Sequence, residues 1–93
     1  MGDDAKKIAV IVTDRQSEAL RMSLGLTIEG DAISVFNCGA PIERTDEVNT
    51  NIDGLDMMEC QLFSVNEVDE GFATITMQEI PAKLLEYDHI VSY

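Results

Sequence analysis

The sequence predicts an α/β domain built on a mainly parallel sheet, and three observations predict it. Short apolar runs alternate with segments of helical period, the pattern of βαβ units. The run Ile8-Ala9-Val10-Ile11-Val12 is apolar at every position, as in a strand covered on both faces. Finally, 93 residues leave room for one core only, so residues 1–93 read as a single domain.

Residues 6–13 give the first strand and 14–16 its turn. A helix follows over 17–29, where Leu20, Leu24 and Ile28 recur at every fourth position and Ala19, Met22 and Leu26 widen the stripe. Gly30 stops it, because glycine enters the left-handed region without a Cβ clash. Residues 32–37 are the second strand, carrying Ile33, Val35 and Phe36. Cys38-Gly39-Ala40-Pro41 is a loop by its Gly and Pro. Residues 42–51 are polar and weakly patterned, a short helix or an irregular crossover. The segment Asn49-Thr50-Asn51-Ile52-Asp53-Gly54 places oxygen side chains at alternate positions. A calcium loop would need Asp at its start and Glu where Cys60 stands, so the segment reads as an Asx-rich turn.

The third strand is expected over 55–59, with Met57 and Met58 inward and Cys60 at its end. One or two helical turns over 61–65 come next. Residues 71–77 alternate as a fourth strand, with Ala73, Ile75 and Met77 on one face. Pro81 opens a last helix through Ala82, Leu84, Leu85 and Tyr87. Asp88 breaks it, and residues 89–93 close the sheet. Five short strands and three or four helices make a marginal core in so small a chain, and association of subunits is the usual remedy. Met22, Met57, Met58 and Met77 fill gaps in that core or lie at such an interface.

Eighteen acidic residues against six basic ones give a net charge of −12. Such a surface repels phosphate backbones and anionic membranes, so neither nucleic acid nor membrane is an expected partner. Simple solvation, a basic protein partner and a salt-rich habitat all fit the acid excess. No apolar run approaches the ~18 residues of a membrane span. The opening Met1-Gly2-Asp3-Asp4 lacks the layout of a signal peptide, which gives a cytoplasmic expectation. Two cysteines are no disulfide framework, and with one His they cannot make a four-ligand zinc site in one subunit. No metal or other cofactor is expected.

Open parallel sheets bind ligands at the carboxyl ends of their strands. On this reading Asp14 follows strand one, Cys38 strand two and Cys60 strand three. Asp14, Cys38 and Gly39 are therefore candidate ligand-binding residues. Cys60 is the candidate nucleophile, since a helix opening at Gln61 would offer its backbone amides and dipole to a thiolate. Glu59 beside it acts in the opposite sense, and a buried, structural Cys60 is the competing reading. Cys38 reads as structural, or as a resolving thiol if strands two and three are neighbours. His89 opens strand five at the opposite edge, away from any cysteine that follows a strand.

The opening Lys7-Ile8-Ala9-Val10-Ile11-Val12-Thr13, the helix end Ile28-Glu29-Gly30-Asp31 and the strand Ile33-Ser34-Val35-Phe36 resemble the DsrE/DsrF-like family, which includes the sulfur-relay proteins of the Tus and Dsr systems. The strand ending in Cys60 is similar to that family's third strand, and the stretch from Gly71-Phe72 through Pro81-Ala82-Lys83-Leu84-Leu85 to His89-Ile90-Val91-Ser92-Tyr93 is similar to its last helix and strand. The resemblance implies a three-layer α/β/α sandwich around a five-stranded, mainly parallel sheet. It implies homo- or hetero-oligomers, often trimers or hexamers. In the sulfur-carrying branch a cysteine accepts a persulfide from a donor protein and passes it to an acceptor, without a cofactor, and that role would fall on Cys60. Other relatives lack the cysteine and serve as structural subunits. Here Gln61-Leu62-Phe63-Ser64-Val65-Asn66-Glu67 stands where the family often has small residues and an Arg-Gly pair. Two functions follow as expectations: a persulfide carrier acting through Cys60, or a non-enzymatic oligomeric binding or scaffold protein with a structural Cys60.

Overall fold

Eight elements follow one another in the computed structural model, which describes residues 6–27, 30 and 32–92. They are β1 (Lys7–Val12), α1 (Gln16–Leu26), β2 (Ala32–Asn37), α2 (Asp46–Met57), β3 (Gln61–Ser64), β4 (Ala73–Thr74), α3 (Ile80–Leu84) and β5 (His89–Ser92). The strands form one sheet in the order β4-β3-β2-β1-β5. Every pairing is parallel, and Ile8 sits opposite Ile33 on one side and His89 on the other. The α/β class expected from the sequence is the class observed.

Strand order and helix placement are linked. From β1 to β3 the chain steps repeatedly in one direction, then returns from β4 past β1 to lay down β5. Right-handed crossovers therefore put α1 and α2 on one face and α3 on the other. The core agrees. Ile8, Val10 and Val12 point to the first face with Ile33, Val35 and Leu62, where they meet Ala19 and Leu20 of α1 and Val48, Ile52 and Leu55 of α2. Ala9 and Phe36 turn the other way, onto Ile75 and Ile80, with Phe63, Leu84 and Tyr87 partly buried around them. Leu20 and Leu55 are fully buried, each contributing about 2–3 kcal/mol of transfer free energy. Among the described residues the one helix over the second face has five residues, and Ile90 and Leu85 remain 52% and 86% exposed. Helices on both faces are compatible with three layers.

The middle of the chain departs from expectation. Residues 42–51 and the expected third strand, 55–59, are largely one helix, α2 with its turn. Its start is marked by Thr45, whose side chain accepts a hydrogen bond from the Val48 amide at 3.1 Å, and by Asp46 and Glu47 in the first turn. The Asx-rich segment lies inside this helix, not in a turn. Gly54 is there for contact: a Cβ at that position would stand 2.9 Å from a methyl of Leu24 on α1. Met57 and Met58 are not inward but 83% and 52% exposed. Met22 and Met77, read as core or interface residues, are exposed too. The expected helix over 61–65 is instead β3, paired with β2 from Ser34–Gln61 to Asn37–Ser64.

Smaller differences are shifts of boundary. The fourth strand shrinks to two residues, because Met77 to Glu79 already turn toward α3. The last helix starts at Ile80 and stops at Leu84, short of Tyr87. Gly30 takes the left-handed conformation expected of it, with φ 86°. The expected helix positions Ile28 and Glu29, and Tyr93 of the closing strand, lie outside the described residues. No helix among the described residues is long and apolar enough to cross a membrane.

Candidate functional site

The two ends of the sheet differ in chemistry, and the candidate residues divide between them. At the carboxyl ends, Asp14 follows β1 and Cys38-Gly39 follows β2, as expected. Their loops touch: the Cys38 amide donates to the Val12 carbonyl at 2.9 Å. A Cβ on Gly39 would fall 2.2 Å from the Thr13 carbonyl oxygen, so only glycine fits there.

Beneath this loop lies a buried polar network that sequence reasoning missed. The Asp69 carboxylate accepts from Asn37 Nδ2 at 2.9 Å, from the Ile42 amide at 2.8 Å and from the Ser64 hydroxyl. Asn37 also donates to the Ala40 carbonyl, and Asn66 Nδ2 donates to the Gly39 carbonyl. These bonds pin the tips of β2 and β3 together. Asn37 and Asp69 looked like ordinary loop polarity in a chain with eighteen acids, and only the strand ending at Asn37 offered a clue.

Asp14 lines an open cleft of about 550 Å³ between the starts of α1 and α2, and Cys38 and Gly39 are not part of its lining. Gln16 closes one side, donating to the Ala40 and Pro41 carbonyls and accepting from the Glu43 amide. Ser17 donates to Glu47 at 2.7 Å. With Glu18, Glu43 and Glu47 also lining it against Arg15 alone, the cleft repels anions. The structure thus brings Asp14, Cys38 and Gly39 to one end of the sheet without joining them in one cavity. Cys38 is half-buried beside the second apolar cluster, and that burial pushes its thiol up.

Cys60 is at the other end. It precedes β3 rather than following it, and no helix opens after it. The helix amides invoked for its thiolate are therefore absent from its surroundings. Instead Cys60 belongs to the cap of α2. Its amide donates to the Leu55 carbonyl at 3.0 Å and the Glu59 amide donates to Asp56, with Glu59 left-handed at φ 61°. This is a Schellman ending, in which the residue after the left-handed position packs back on the last turn. Cys60 does so against the cluster that contains Leu55. Burial pushes this thiol up as well. Cys38 and Cys60 occupy opposite ends of parallel neighbours, which removes the pairing of a nucleophile with a resolving thiol.

Cys60 also borders a groove of about 500 Å³ across the amino ends of the strands, together with Lys7, Ser34, Lys83, Glu86 and Tyr87. Lys7 faces Glu86 at 3.7 Å and lies 5.3 Å from the Tyr87 ring centre. Lys83 sits 5.2 Å over the Phe63 ring. Sequence reasoning passed over Ser34 and Lys83 because strand three was misplaced, which hid the fact that they share an end with Cys60. Among the described residues no group of three or more His, Cys, Asp or Glu could hold a metal ion. Comparison of the chain with protein-family models, with curated proteins and with solved structures gives no match.

Proposed function

We propose that the chain is a non-catalytic, self-associating binding protein of DsrE-like type. The observation that carries this reading is the thinly covered second face of the sheet. A helix of five residues lies over it, and Leu85, Ile90 and Met77 stay exposed on or beside it. Apolar area left in water at this scale, in a chain with so small a core, favours burial against another subunit. The tip of β3, where the resemblance would place a sulfur-carrying thiol, reads Ser64-Val65-Asn66. Ser64 there is bound to Asp69 and to the Asn66 amide.

Light scattering on the purified chain, with an Ile90→Lys and Leu85→Lys variant alongside, tests the reading. A defined oligomer that the double variant dissociates supports it. A monomer at micromolar concentration defeats it.

One observation favours a second reading, a persulfide carrier acting through Cys60. The thiol borders a groove that also holds Lys7 and Lys83, and a cation helps to hold a persulfide anion. Incubation with a persulfide donor followed by intact mass measurement separates the two. A one-sulfur adduct that disappears in Cys60→Ser establishes the carrier, and its absence leaves Cys60 as a helix cap.

A further inference from the structure

We propose that the groove at the amino ends of β1, β2 and β3 is a binding site for a small oxyanion, a carboxylate or a tetrahedral anion, held by the Lys83 ammonium and the Ser34 hydroxyl. The site lies at the end of the sheet opposite the strand tips and does not depend on the self-association proposed above.

Ser34 carries the first half of the argument. It is only 5% exposed, and it lines the groove. Among the described residues its hydroxyl makes no hydrogen bond, whereas the buried hydroxyls of Ser23 and Ser64 both donate one, to the Ala19 carbonyl and to Asp69. The hydroxyl is not one of the side-chain atoms sealed from solvent without a partner, so it opens onto the groove, where water or a ligand takes its hydrogen bond. The groove is the side from which that partner can come.

Lys83 carries the second half. The chain has six basic residues and eighteen acidic ones, so a cation without a carboxylate beside it is unexpected. Glu86 is the nearest acid on the groove wall, and Lys7 holds it. Glu59, also on the wall, makes no ion pair among the described residues, and neither does Lys83. The Lys83 ammonium lies against the Phe63 ring, which leaves its N–H groups turned to water or to a ligand. Two donors facing one groove, one of them charged, suit an oxygen anion. A cation would find only Glu59 free to receive it. The net charge of −12 opposes every anion at long range, so affinity is weak and the contacts themselves must supply it.

The test is an amide-resolved NMR titration of the whole chain with sodium sulfate and, separately, sodium acetate, against sodium chloride at matched ionic strength. The expected result is saturable shifts at Ser34, Gln61 and Lys83 with one or both oxyanions, and none that saturates with chloride. Saturation with sulfate alone names a tetrahedral ligand, and saturation with acetate alone names a carboxylate. Lys83→Met, at a half-buried helix position, weakens binding about tenfold, the loss of one charge-assisted hydrogen bond. Ser34→Ala weakens it as well while its spectrum stays folded. Shifts that rise linearly with all three salts, or saturating shifts that neither variant alters, overturn the site. Neither outcome bears on the oligomeric state.

Discussion

Asp69 is the one charged side chain buried among the described residues, at 4% exposure. Its carboxylate serves three donors, which is why it stays where a lone charge could not. Removing it strands Asn37, Ser64 and the Ile42 amide at once. Asp69→Ala is expected to lower stability by on the order of 3 kcal/mol in urea unfolding, well beyond the effect of an exposed acid such as Glu67. A loss no larger than that of Glu67→Ala would mean that the network is not holding the strand tips. Cys60 makes the complementary point at this scale. Its place in the helix cap explains its half-burial without any appeal to chemistry, and its raised thiol agrees with that role.

Between α2 and β3 lies the part of the fold that was least legible. β1, α1, β2 and β5 were readable because unbroken apolar runs and a four-residue repeat leave little choice. In α2 the apolar stripe Val48, Ile52, Leu55 is interrupted by Asn51, a buried amide whose Nδ2 finds no partner. Gly54 and the neighbouring Asn and Asp residues imitated a turn, although the glycine serves close packing on Leu24. β3 has four residues, and its two apolar ones, Leu62 and Phe63, are neighbours, so no alternation shows. Exchanging these two elements moved Cys60 from one end of the sheet to the other, so the candidate nucleophile was found but its surroundings were not. Asp14, Cys38 and Gly39 stayed at the expected end because β1 and β2 were placed correctly. The cap of α2 yields a prediction at this scale. Glu59 holds a left-handed conformation that glycine adopts more easily, and it sets a negative charge at the negative end of the helix dipole. Glu59→Gly is expected to stabilise by about 1 kcal/mol, a rise in Tm on the order of 5 °C. A fall in Tm on thermal melting would contradict the Schellman assignment.

For the whole molecule the governing quantity is the charge of −12. Among the described residues two ion pairs relieve it, Lys7–Glu86 and Arg15–Glu18, at 3.7 and 3.9 Å and largely in water. Neither of these exposed pairs offsets much self-repulsion, and screening should help. Raising NaCl from roughly 0.01 M to 1 M shortens the screening length from about 30 Å to about 3 Å and is expected to raise Tm and favour association. A Tm that falls across that range would show that the acids are stabilised locally rather than strained against one another. The route of the chain has a different consequence. Lys7 and Asp88 exchange backbone and side-chain bonds across 81 positions of sequence, and through them β5 fills the vacant side of β1. As the polypeptide leaves the ribosome, its first strand must wait with one flank bare until the latest of the five emerges, so an unpaired edge stays open while β2, β3 and β4 are made.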